Sequence, residues 1–140
     1  MQVVNQTIPS PEQMTEFFGS GEDGPFVMVN LLKFKERAKY ADRRETDLTG
    51  AEAYAIYGAA VGKCIAEVGG TPGFTGKVTG LLLGEVEDNW DMVALVEYPS
   101  LDAFRDMMAS PEYQKIAVHR SAGLEGQLNI RAKPRTLGGF

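Results

Sequence analysis

Pro25-Phe26-Val27-Met28-Val29-Asn30-Leu31-Leu32-Lys33-Phe34 is the stretch from which the fold is read. In an extended chain alternate side chains point to opposite faces. One face then carries Phe26, Met28, Asn30, Leu32 and Phe34, and the other Val27, Val29, Leu31 and Lys33. Both faces are mostly apolar, so this is a central strand that needs cover on both sides. Its polar residues, Asn30 and Lys33, fall toward its C-terminal end, one on each face.

A second run of this kind is Asp91 to Tyr98. Two other segments are weaker. Phe74 to Gly84 is interrupted by Gly76, Gly80 and Gly84, which suits an edge strand with a bulge. Leu124 to Arg131 alternates: Leu124, Gly126, Leu128 and Ile130 face one way, and Glu125, Gln127, Asn129 and Arg131 the other. That is a one-sided edge strand whose polar strip either lines a dimer interior or faces solvent.

Helices separate the strands. Ser10-Pro11-Glu12-Gln13 and Thr49-Gly50-Ala51-Glu52 are capping boxes that open helices. The second helix runs to about Val68 before Gly69-Gly70, with Tyr57, Ala60, Val61, Cys64, Ile65 and Val68 on one face. Ser100 caps a third, and Ser110-Pro111-Glu112 restarts the helix toward Gly123. After the first short helix the order is β, α, β, β, α, β. This predicts an α+β, ferredoxin-like fold with an antiparallel four-stranded sheet, first and third strands central. One such domain spans 1–140, with a short N-terminal helix and a tail over the last nine residues. Two helices cover one sheet face only. The other calls for a second copy, giving a homodimer through the sheet face, a dimeric α+β barrel.

The totals narrow the function class. With 140 residues the chain supports a sizeable core. A net charge of −5 disfavours nucleic acid, and no run approaches the ~20 apolar residues of a membrane span. Cys64 is the one cysteine, which excludes an internal disulfide and fits a reducing cytoplasm. With a single histidine, no N/S metal site of ordinary ligand count can be built, and no metal or other cofactor is expected. Phosphate-binding, dinucleotide-binding and serine-hydrolase motifs are absent.

Lys35 to Leu48 has no hydrophobic period and reads as a loop. Between residues 33 and 44, Lys33, Lys35, Arg37, Lys39, Arg43 and Arg44 are opposed only by Glu36 and Asp42. The favoured reading is a solvated loop; the other is a basic lip that steers an anion.

The segments Val29-Asn30-Leu31-Leu32-Lys33-Phe34, Tyr57-Gly58-Ala59-Ala60-Val61-Gly62, Trp90 through Ser100, and Ser110-Pro111-Glu112-Tyr113-Gln114 through His119-Arg120 together resemble the domain-of-unknown-function family numbered 1330. The resemblance covers roughly residues 25–131. It implies a ferredoxin-like protomer in the dimeric α+β barrel superfamily, and it implies no particular reaction.

His119, near a helix C-terminus, is the one side chain with an ordinary pKa close to neutrality. It is a candidate general acid/base, with Arg120 beside it to hold negative charge; the bland reading is a helix cap. Candidate ligand-binding residues are Asn30, Lys33, Tyr57, Trp90 and Tyr113. Each has a plain alternative: a strand contact for Asn30, a snorkelling stem for Lys33, packing for the tyrosines and Trp90. The expected function is binding of a small polar or anionic metabolite, with or without cofactor-free isomerase- or monooxygenase-like chemistry. The alternative is a non-catalytic dimeric accessory or stress-response module.

Overall fold

The computed structural model describes residues 3–134. The expected tail lies mostly outside the described residues. The elements, in chain order, are α1 (Pro11–Phe18), β1 (Phe26–Phe34), α2 (Gly50–Glu67), β2 (Thr71–Lys77), β3 (Met92–Tyr98), α3 (Leu101–Ala109), α4 (Pro111–Gly123) and β4 (Leu124–Ala132). The sheet order is β2-β3-β1-β4, with every neighbouring pair antiparallel. This is the ferredoxin-like arrangement, and the two strands apolar on both faces occupy its centre.

Local chemistry sets the helix ends as the sequence predicts. Ser10 and Gln13, and Thr49 and Glu52, complete reciprocal capping boxes. Ser110 closes α3 with its backbone N–H and caps α4 with its side chain, so one residue turns the chain between two helices. The helices pack on the face of β1 that carries Phe26, Met28 and Leu32. There Phe26 and Met28 join Cys64, Ile65, Tyr98 and Met107 in the main core, with Phe17, Phe104 and Tyr113 against it.

α2 and α4 run antiparallel and cross closely at Gly50 and Gly123. A Cβ on Gly50 would overlap the Lys35 carbonyl oxygen and lie 2.7 Å from that of Gly123; one on Gly123 would overlap the Gly50 carbonyl. Backbone meets backbone here, so neither position has room for a side chain. From this crossing α2 and α4 carry Tyr54, Tyr57, Tyr113 and Arg120.

Three expectations are corrected. β2 begins at Thr71 and ends at Lys77, earlier than the glycine pattern suggested. Its partner β3 starts at Met92, which pairs with Lys77, so the chain beyond finds only one further bond, Val78 N–H to the Asp91 carbonyl. Leu82, read as part of that strand, lies in the following loop at 95% exposure. A register shift falls between Pro72 and Thr75, ahead of the glycines at which the bulge was expected.

The segment 35–48 is not simply a solvated loop. It is a strap pinned to the end of the helix pair: Lys35 N–H donates to the Gly123 carbonyl, Lys39 N–H to that of Ala122, and Gly50 N–H to that of Lys35. Ala38 and Tyr40 are buried against Ala53 and Ala122, whose small side chains leave the space.

In β4 a register shift opposite Lys33 and Phe34 breaks the simple alternation. Leu124 turns to the helix side beside Phe34. Beyond the shift Gln127, Asn129 and Arg131 share the helix side with Leu32, Asn30 and Met28, while Leu128 and Ile130 lie on the open face with Leu31 and Val29. Gln127 and Arg131 thus line neither a dimer interior nor a bare solvated face.

Candidate functional site

The sequence-predicted residues divide between the two sides of the sheet. On the open face, Lys33 lies beside Trp90 in a shallow cavity of about 260 Å³ that Val3, Asn5, Glu87 and Asp88 also line. The Lys33 ammonium donates to the Asn89 carbonyl at 3.0 Å and pairs with Asp88, so its charge is already matched. Nothing in this cavity is held ready for an anion.

On the helix side a chain of polar groups crosses an otherwise apolar layer. Asn30 is its fixed end. Its amide donates to the Ala94 carbonyl at 3.0 Å, and its oxygen accepts from Gln127 Nε2 at 2.9 Å. The other Gln127 amide hydrogen goes to Asn129 Oδ1. With both hydrogens committed, the Gln127 oxygen can point only one way, and there it accepts from the Arg120 guanidinium. Asn30 and Gln127 thereby aim Arg120.

Arg120 comes from α4 and is partly buried. Among the described residues no carboxylate lies within 4.0 Å of it; its hydrogen-bond partner is a neutral amide. A cation withdrawn from water without a counter-charge is costly, and an anion seated beside it removes much of that cost.

Aromatic rings flank this chain of polar groups. Tyr54 packs on Phe34 at 5.3 Å between centroids and on Tyr57 at 5.2 Å, and Tyr57 meets Tyr113 edge-on at 6.0 Å. Burial pushes the Tyr54 phenol up to about 12 against the opposing Arg120 charge. Burial, followed by the neighbouring Tyr113, holds the Tyr57 phenol well above its usual range. Both are neutral hydrogen-bond donors at physiological pH.

His119 does not share this hydrogen-bond chain, although Arg120 follows it directly. Its Nδ1 lies 2.7 Å from the Tyr40 hydroxyl on the strap, ring edge to ring face. Over the Tyr40 ring sits the Arg44 guanidinium, 4.4 Å from the ring centroid, itself held by Asp42. Arg44 draws the Asp42 carboxyl down to about 2. The sequence reading missed Tyr40. Its signal was a single aromatic in a charged segment, which marks an anchor more often than a solvated position.

Cys64 is buried in the core and its thiol is pushed up by that burial, which suits packing and not nucleophilic attack. Among the described residues no group of three or more His, Cys, Asp or Glu side chains is placed to hold a metal ion. Nor is any helix long and apolar enough to cross a membrane.

A family model described as a domain of unknown function, DUF1330, matches residues 44–132. A crystal structure of a protein of unknown function from Rhodopseudomonas palustris is 35% identical, with a TM-score of 0.84 over 96% of this chain and 100% of that one. Two more distant structures share the fold. One is a protein of Arabidopsis thaliana, 15% identical, TM-score 0.52, over 81% of this chain and 98% of that one. The other is SnoaB, a cofactor-independent oxygenase from Streptomyces nogalater, 16% identical, TM-score 0.50, over 82% and 97%. The curated proteins give no match.

Proposed function

This chain belongs to the DUF1330 family, and for it we propose a metal-free site that binds a small anionic metabolite at Arg120, in the cleft between helices and sheet. One observation carries the reading: a partly buried guanidinium, oriented by Gln127 and Asn30, with no carboxylate in reach among the described residues. An arginine kept only for surface charge balance needs no such aiming; one that receives a planar anion does. Tyr54 and Phe34 supply the apolar wall at this end.

The test is titration calorimetry with benzoate as probe. Wild-type protein binds it, and Arg120→Met, which keeps chain length and removes the charge, weakens binding at least tenfold, the scale of a charge-assisted hydrogen bond. Absence of wild-type binding, or equal affinity in the variant, overturns the reading.

Binding without turnover is the form these groups favour, because His119, the expected proton carrier, is engaged by Tyr40. That matches the reading as a non-catalytic module. Isomerase- or monooxygenase-like chemistry remains open to this scaffold, as SnoaB works on the same fold without a cofactor. The two are told apart by whether the ligand leaves chemically altered.

Assembly follows from the open sheet face. Val27, Val29, Leu31, Val93, Leu95 and Leu128 share it, and none is covered by a helix. A face this apolar is suited to a second copy of itself. Native mass spectrometry of the purified protein is expected to show two copies; a lone protomer at micromolar concentration would remove this part of the proposal.

A further inference from the structure

The cleft holds a second polar feature that anion binding at Arg120 does not use. The hydroxyl oxygens of Tyr57 and Tyr113 lie 3.4 Å apart, and among the described residues this is the one hydrogen bond either makes. A phenol has a single proton to donate. In a facing pair one hydroxyl donates to the other, and among the described residues no protein group takes the second proton. Tyr57 is 9% exposed and Tyr113 partly buried, so little water stands beside the pair. Burial keeps the Tyr57 phenol protonated, which preserves the donor. At 3.4 Å the mutual contact is also long. A third hydroxyl placed between the two would let each of the three oxygens donate one bond and accept one, which removes the mismatch.

The helices fix where this donor pair stands relative to Arg120. Tyr113, Ile116 and Arg120 follow one another at three- and four-residue spacing on one face of α4, a rise of roughly 10 Å from first to last. The antiparallel crossing sets Gly50 of α2 against Gly123 of α4, and Tyr57 against Tyr113. Tyr54 is then level with the Arg120 end, its ring 5.2 Å from that of Tyr57. A cation at one end, two hydroxyl donors at the other and an aromatic wall between them describe a complement to one shape of molecule.

We propose that the site takes a ring-bearing carboxylate with an acidic hydroxyl at its far end, the chemistry of a para-hydroxy aromatic acid, with the carboxylate on Arg120 and the hydroxyl oxygen between Tyr57 and Tyr113. This rests on the Arg120 reading and adds the second anchor and the spacing between them.

The probes are benzoate and 4-hydroxybenzoate, titrated against wild type, Tyr57→Phe, Tyr113→Phe, the double variant and Arg120→Met. Wild type is expected to prefer 4-hydroxybenzoate by about tenfold, the worth of a well-placed buried hydrogen bond. The double variant brings the ratio of the two affinities close to one and leaves benzoate binding in place. Arg120→Met weakens both probes together. The ratio is internal to each preparation, so a partly unfolded variant does not distort it, and the single variants serve if the double does not fold. Arg120-dependent benzoate binding with no wild-type preference, or a preference that survives in the double variant, overturns this inference and leaves the anion site standing. Failure of both probes to bind wild type removes the anion site and this proposal with it.

Discussion

At one end of the helix–sheet interface Phe17, Phe26, Tyr98 and Phe104 close on one another with ring centroids 4.9–6.4 Å apart, mostly edge to face or tilted. At the other end Tyr54, Tyr57 and Tyr113 approach at 5.2–6.0 Å, in similar geometry. The ring contacts are alike; the company is not. At the first end Tyr98 turns its hydroxyl on the Met107 sulfur, 3.8 Å away, and the Arg131 guanidinium that lies over the Phe17 ring, 4.4 Å from its centroid, is tied off by the Phe17 carbonyl and the Ser20 hydroxyl. The second end admits Arg120, Gln127 and Asn30, and its two facing phenols have only each other as protein partners among the described residues. One sheet and its helices thus carry an apolar half and a half with polar groups set into it.

The largest effect belongs to the first half. Phe26 is 3% exposed and touches rings from α1, β3 and α3. Phe26→Ala is expected to cost about 3–5 kcal/mol in chemical denaturation, the range for emptying a buried phenylalanine site. A loss under about 1 kcal/mol would mean that this end is no more a stabilising core than the other, and the contrast would fail.

A smaller effect is expected at the strap that closes over the polar end. Its base is tied by backbone bonds to Ala122 and Gly123, whereas its turn is fastened by the Tyr40 hydroxyl on His119. Arg43 in this turn holds a positive φ of 63°, a conformation that needs such fastening. Tyr40→Phe removes one hydrogen bond, worth about 1 kcal/mol, and keeps the buried ring. The strap carries Lys35, Arg37, Lys39, Arg43 and Arg44, so limited trypsin digestion reads its opening directly. Cleavage between 35 and 44 should quicken several-fold while global stability falls by about 1 kcal/mol. Unchanged cleavage would show that the backbone bonds alone hold the strap.

The contrast between the halves was only partly legible in the amino-acid order. Strand faces, capping boxes and the βαββαβ order predicted the sheet because those signals are local and periodic. Asn30, Tyr57, Tyr113 and Arg120 were each visible as candidates. What brings them together was not, since it depends on two long-range facts: the Gly50–Gly123 crossing that sets α2 against α4, and the β4 register shift that turns Gln127 toward the helices. Neither leaves a mark within a window of a few residues. His119 and Arg120, adjacent in the chain, engage different partners for the opposite reason. Sequence neighbours on a helix point about 100° apart, so adjacency there separates side chains. Tyr40 was lost in the charge of its segment, where composition spoke for solvent and one ring spoke for burial.

The smallest effect sharpens the comparison most. If the polar half is kept for a ligand, removing its charge should cost the fold almost nothing. A partly buried guanidinium bonded only to a neutral amide has been desolvated without a counter-charge, and replacing such a group with a hydrocarbon of similar length is often neutral or stabilising. Arg120→Met is therefore expected to leave unfolding stability within about 1 kcal/mol of wild type, or to raise it, in the same preparation that has lost benzoate binding. The Gln127 oxygen that loses its donor is partly exposed and can turn to water. A loss of 3 kcal/mol or more, the scale for breaking a buried charge network, would mean that Arg120 holds the helices to β4 as firmly as Phe26 holds its own end. The two halves would then both be structural, and the aimed arginine would be a brace and not a ligand anchor.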